Sequence, residues 1–150
     1  MNNDIFAVLL ADHKKHRTLL ESIEKNINSD EGKKCFEEFT LEAKSHAAAE
    51  EQAFYSILMA KPELTDISRH SVSEHKEIED LIEEMSPMNF LSREWTEKFH
   101  DLKKRYLHHI DEEEDEVFPA ALKELDSAQQ EKMGKKFNIR KPEEKTDLSD

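Results

Sequence analysis

Between residues 36 and 57, positions separated by alternating steps of three and four read Phe36, Phe39, Ala43, His46, Glu50, Ala53 and Ile57. This is the buried stripe of an amphipathic helix, and such a stripe is normally apolar. Here it carries an imidazole and, one turn later on the same face, a carboxylate. The fold must therefore bury both groups and supply something to compensate them.

The same spacing recurs along the chain. One segment gives Phe6, Leu9, His13, His16, Leu20, Ile23 and Ile27, and another gives His75, Ile78, Ile82 and Met85. A last one gives Trp95, Phe99, Leu102, Tyr106, His109, Glu113, Val117 and Ala120. Breakers lie between them at "NSDEG" (28 to 32), "KPELTD" (61 to 66) and "SPMNFLS" (86 to 92), each short enough to join antiparallel neighbours. With only two glycines and four prolines in 150 residues, the expectation is an all-α, up-down-up-down four-helix bundle. Pro119 should kink or end the fourth helix. Beyond it, "DSAQQEKMGKKF" predicts a short capped helix that lays Met133 and Phe137 on the bundle, completing one domain over residues 1–137. Residues 138–150 have almost nothing apolar to bury and are expected to form a flexible tail.

A formal charge of −13 argues against nucleic acid or an anionic membrane as partner. No apolar run approaches the roughly 20 residues that cross a bilayer. The single cysteine, Cys35, has no partner for an internal disulfide, and the N-terminus lacks the pattern of a secretory signal, so a reducing cytoplasm is the expected compartment.

Of the eight histidines, about two would fall on buried positions by chance, given two such positions per heptad. Five do: His13, His16, His46, His75 and His109. His46 and His109 are each followed at four residues by an inward glutamate, Glu50 and Glu113. "HHIDEEED" also offers His108 with Glu112, but the helical neighbours of His108 are Asp101, Arg105 and Asp115, a solvated face. Two uncompensated buried carboxylates would cost several kcal/mol each, and desolvated histidines lose their charge, so bound metal answers the need best. Counting helical rise from the first turn puts His13 level with His46, and from the second turn Glu50 level with His75. The third connection does not close this way: His109 lies roughly two helical turns too far from it. Either the connecting residues run along the bundle, or the helix end lies elsewhere.

These residues give the chain a resemblance to the hemerythrin-like proteins, the HHE cation-binding domains. It rests on "ADHKKH", "HAAAEEQAFYSIL", "SEHKEIEDLI" and "HIDEEEDEVFP", and on an aromatic nine residues after each paired histidine, Tyr55 and Phe118. The resemblance covers residues 5 to about 125. It implies two non-haem iron ions, ahead of zinc or manganese, bridged by both carboxylates and an oxo or hydroxo group. The implied ligands are His13, His46, Glu50, His75, His109 and Glu113. Ferritin-like bundles instead place Glu three residues before His. Where oxygen-carrying hemerythrins have a further histidine on the third helix, this chain has Ser71, which implies about two open coordination positions unless His16 fills one. Three functions stay open: binding of oxygen, nitric oxide or peroxide at an open iron site; turnover of peroxide or nitric oxide as an enzyme or repair factor; and a helical interaction module with a structural metal such as zinc.

Overall fold

The computed structural model describes residues 3–149. Five long helices account for most of them: α1 (Ile5–Lys25), α2 (Asp30–Glu50), α3 (Thr65–Met85), α4 (Arg93–Glu112) and α5 (Ser127–Ser149). The first four form the expected up-down-up-down bundle, and no helix among the described residues is long and apolar enough to cross a membrane. Side-chain oxygens close the orphan amides at four N-termini: Asp4 accepts from Ala7, Ser29 from Gly32, Ser92 from Trp95 and Asp126 from Gln129. Gln129 returns a bond to the Asp126 amide, which makes a reciprocal box at the start of α5.

Neither glycine acts as a breaker. Both lie inside helices where another backbone comes close: a Cβ on Gly32 would stand 2.1 Å from the Asn26 carbonyl oxygen, and one on Gly134 would stand 1.9 Å from that of Asn3. The first turn is instead made by Asn28, at φ 63°.

α2 and α4 do not end at their inward glutamates. Each continues through a π-helical turn, Glu51–Tyr55 and Glu113–Val117, and then a short α-helical stretch, Ser56–Leu58 and Phe118–Leu122. The second π turn ends at Val117, two residues before Pro119, whose missing amide is accommodated in the first turn of the short stretch that follows. The level problem of the third connection is resolved by the connection itself, since α3 ends at Met85 as expected. Trp95 at the start of α4 packs 5.1 Å from Phe36 and 4.3 Å from Phe90, so residues 86 to 92 run past the end of α3 to the α1–α2 turn.

The C-terminal region departs from expectation. Residues 138–149 continue α5 as helix, where a short helix and a flexible tail were expected. What they lack in apolar surface they gain in ion pairs. Lys141 reaches Asp12 and Glu42, both at 2.8 Å, and Lys145 reaches Glu42 at 2.6 Å. Arg140 donates to Gln52 at 2.6 Å. Met133 and Phe137 are buried as the pattern predicts.

Two apolar clusters make the core. One, at the end of the α1–α2 turn, includes Ile23, Phe36, Phe39, Trp95 and Phe99. The other, at the opposite end, includes Ile5, Leu9, Phe54, Leu58, Phe118 and Phe137. The inward histidines and glutamates form the layer between them.

Candidate metal centre

His13, His46, Glu50, His75, His109 and Glu113 are all brought into that layer, and none is more than 8% exposed. They form two groups whose ligand atoms lie within 4.8 Å of one another: His13, His46, Glu50 and Glu113, and then Glu50, His75, His109 and Glu113. Each group holds two imidazoles of its own, and both share the two carboxylates. His13 Nε2 is 2.9 Å from Glu113 Oε1, and His75 Nε2 is 3.1 Å from Glu50 Oε1. His46 Nε2 and His109 Nε2 stand further from their own glutamates, at 3.7 and 3.9 Å.

All four imidazoles present Nε2 to the centre because Nδ1 is held from behind. His46 Nδ1 bonds Asp12 at 2.8 Å, His75 bonds Glu51 at 2.8 Å, His109 bonds Glu74 at 2.8 Å, and His13 bonds Glu114 at 2.7 Å. A carboxylate on Nδ1 fixes ring orientation and makes Nε2 a stronger donor to a metal. These four carboxylates were missed by sequence reasoning, though a signal existed. Each is the immediate neighbour of an inward residue: Asp12 precedes His13, Glu74 precedes His75, Glu51 follows Glu50 and Glu114 follows Glu113. A step of one residue turns about 100° around the helix, toward the adjacent helix and its histidine. The set closes a ring: α1 orients the histidine of α2, α2 that of α3, α3 that of α4, and α4 that of α1.

The chemistry of the layer calls for a cation. Within it, His13 Nε2, both Glu50 oxygens and Glu113 Oε1 are buried without a hydrogen-bond partner. Such groups are costly in a dry interior unless an ion satisfies them. Protons answer part of the need. Burial works to lower the His46 pKa, yet the Glu50 charge and the bond to Asp12 outweigh it and raise it to about 9. For His75, burial is likewise outweighed by the carboxylates of Glu50 and Glu51, which raise it to about 10. Burial opposes the Glu50 charge, but His46 and His75 hold its pKa well below the usual carboxylate range.

Two tyrosines and a fifth histidine complete the surroundings. Tyr55 donates a short hydrogen bond to Glu113 Oε2 and is also bonded to Ser71. Burial and then the Glu113 charge push its pKa well above the ordinary value, so it stays a donor. The place beside Ser71 is therefore occupied by a phenol. His16 is fully buried, with Nδ1 2.7 Å from the Tyr106 hydroxyl and Nε2 unpartnered. Burial, reinforced by the charge of His46, pushes its pKa well below the ordinary value, so the ring is neutral. It groups with Asp12 and His46 and lies outside both four-residue sets. A narrow cavity of about 20 Å³, room for one water-sized occupant, meets the layer and is lined by His46, His75, His109, Ala43, Ile78 and Tyr106 among others.

Cys35 is half-buried at the start of α2, where burial and then Glu31 push its thiol pKa up, so it is not a reactive thiolate. His100 lies outside the layer.

A family model, the Hemerythrin HHE cation binding domain, matches residues 4–121. Among curated proteins none matches the chain. The crystal structure of a Hemerythrin HHE cation binding domain-containing protein from Mycobacterium kansasii is similar at a TM-score of 0.84 and 23% identity, covering 96% of this chain and 88% of that one.

Proposed function

Because the chain belongs to the hemerythrin HHE cation-binding family, we propose that its buried layer holds two iron ions and binds a small ligand, oxygen, nitric oxide or peroxide, at an open iron position. One observation carries this reading: two pairs of imidazoles share two buried carboxylates whose oxygens have no sufficient protein donors. One ion would be held by His13 and His46 and the other by His75 and His109, with Glu50 and Glu113 shared between them. Iron in this setting supplies redox chemistry and Lewis acidity. The chain supplies the rest. Asp12, Glu51, Glu74 and Glu114 hold the imidazoles, Tyr55 donates to Glu113, and the apolar clusters keep the layer dry. The small cavity beside His46, His75 and His109, with room for one water-sized occupant, supports a small ligand. A reducing cytoplasm suits the free thiol of Cys35.

Metal analysis of the purified protein tests this. The expected result is about two irons per chain, with an ultraviolet band from the oxo bridge in the oxidised form. One zinc per chain would overturn the iron reading and leave a structural metal. If the irons are present, continuous consumption of peroxide or nitric oxide would identify turnover in place of reversible binding.

A further inference from the structure

Outside the buried layer, the same i, i+4 pairing of His with Glu occurs twice more, on facing surfaces of α3 and α4. The pairs are His70 with Glu74 and His108 with Glu112. His70 Nε2 lies 3.4 Å from Glu74 Oε2 and 3.0 Å from Glu112 Oε1, while His108 Nε2 lies 3.1 Å from Glu112 Oε2. Ligand atoms of His70, Glu74 and Glu112 fall within 4.8 Å of one another. The two imidazole side chains are 55% and 70% exposed and the carboxylates only 14% and 19%, so the ligand set is reachable from solvent yet anchored at its base.

We propose that His70, Glu74 and Glu112 form a second, surface site for a divalent transition metal of the zinc or iron(II) type, with the His108 imidazole beside it on Glu112. An imidazole among carboxylates suits such ions, whereas magnesium and calcium take all-oxygen sets. A second observation points the same way. Of the four carboxylates that orient the buried histidines, two carry a fixed cation on their outer side: Asp12 has Lys141 at 2.8 Å, and Glu114 has Arg17 at 2.9 Å. The outer neighbour of Glu74 is instead His70, at 3.4 Å, an imidazole that can ligate a metal in place of a fixed cation. α5 brings Lys141 to the α1–α2 half of the bundle. Glu74 therefore joins the two centres, with Oε1 on His109 Nδ1 and Oε2 toward the surface metal. The site goes beyond the buried centre and does not need that centre to contain iron.

Equilibrium titration with zinc chloride tests it, on protein as purified with its buried metal in place. The wild type should take up one further zinc per chain with no loss of the metal already bound. His70→Ala and Glu112→Gln should each weaken that uptake by about tenfold or more, while His100→Ala, whose imidazole lies 3.8 Å from Glu24 and away from this cluster, should not change it. A thermal melt of each variant verifies that folding is intact. No additional zinc in the wild type, zinc uptake matched by release of the buried metal, or equal zinc binding by the His70→Ala/His108→Ala double variant would each overturn the proposal.

Discussion

Loading metal into the buried layer should expel about two protons per chain at neutral pH. In the metal-free protein, Glu50 and the carboxylates behind the rings raise the pKa of His46 to about 9 and of His75 to about 10. At pH 7 both rings are then protonated nearly all the time. Coordination needs the bare Nε2 lone pair, and one of these rings belongs to each four-residue group. Each ion thus displaces one proton, and the affinity of each group should rise about tenfold, or 1.4 kcal/mol, per pH unit until those pKa values are reached. Stability should follow with a definite sign. Both folded-state pKa values lie above the ordinary 6.5, so the metal-free protein holds this contribution fully below pH 6.5 and loses it as pH rises through about 9 to 10. Calorimetric titration with zinc or iron(II), in buffers of differing ionisation enthalpy at one pH, counts the protons. A count near zero would refute the reasoning, since it would mean that neither ring carries a proton for the metal to displace.

Register on α4 gives a sharp contrast. Glu113→Ala removes a carboxylate shared by both groups and should lose most of the buried metal, whereas Glu112→Ala should keep it, as metal analysis of the two variants would show. At Ser71, 1% exposed and bonded to the Tyr55 hydroxyl, a histidine meets occupied space. Ser71→His should destabilise the protein by about 1–3 kcal/mol in urea unfolding, and adding Tyr55→Phe should recover part of that loss.

The four-helix bundle and its inward face were legible because the buried stripe is written in steps of three and four, and a polar residue inside such a stripe stands out. His46, Glu50, His109 and Glu113 met that criterion directly, and the structure gathers them with His13 and His75. The orienting carboxylates were not legible. In a chain with 35 acidic residues, Asp12, Glu51, Glu74 and Glu114 look like solvated surface, and only the packing of each helix on the next shows what they reach. His70 and His108 read as surface for the same reason, one pair at a time, until α3 and α4 place them face to face. The helical C-terminus was illegible on different grounds. Its stability comes from Lys141 and Lys145 finding Asp12 and Glu42 more than a hundred positions away, and local composition carries no trace of that.

The π turns explain how a repeated motif yields a centre with two unlike halves. In an α-helix the fifth residue after a glutamate is turned about 140° away from it. A turn closed by i to i+5 bonds takes about one more residue, so that fifth residue returns toward the original face. The residues returned are Tyr55 after Glu50 and Phe118 after Glu113, and both are buried. Phe118 stacks on His13 at 5.9 Å, 8° from parallel, and adds only apolar cover. Tyr55 meets His75 edge-on at 6.0 Å, and its hydroxyl reaches Glu113 and Ser71. The Tyr55 hydroxyl thus stands at the His75 and His109 end, while Phe118 at the other end offers none. The narrow cavity is lined by His75, His109 and His46 but not by His13. The cavity between α2 and α3 thus lies mainly against the half that has the phenol, and the two halves differ at one aromatic position by one hydroxyl.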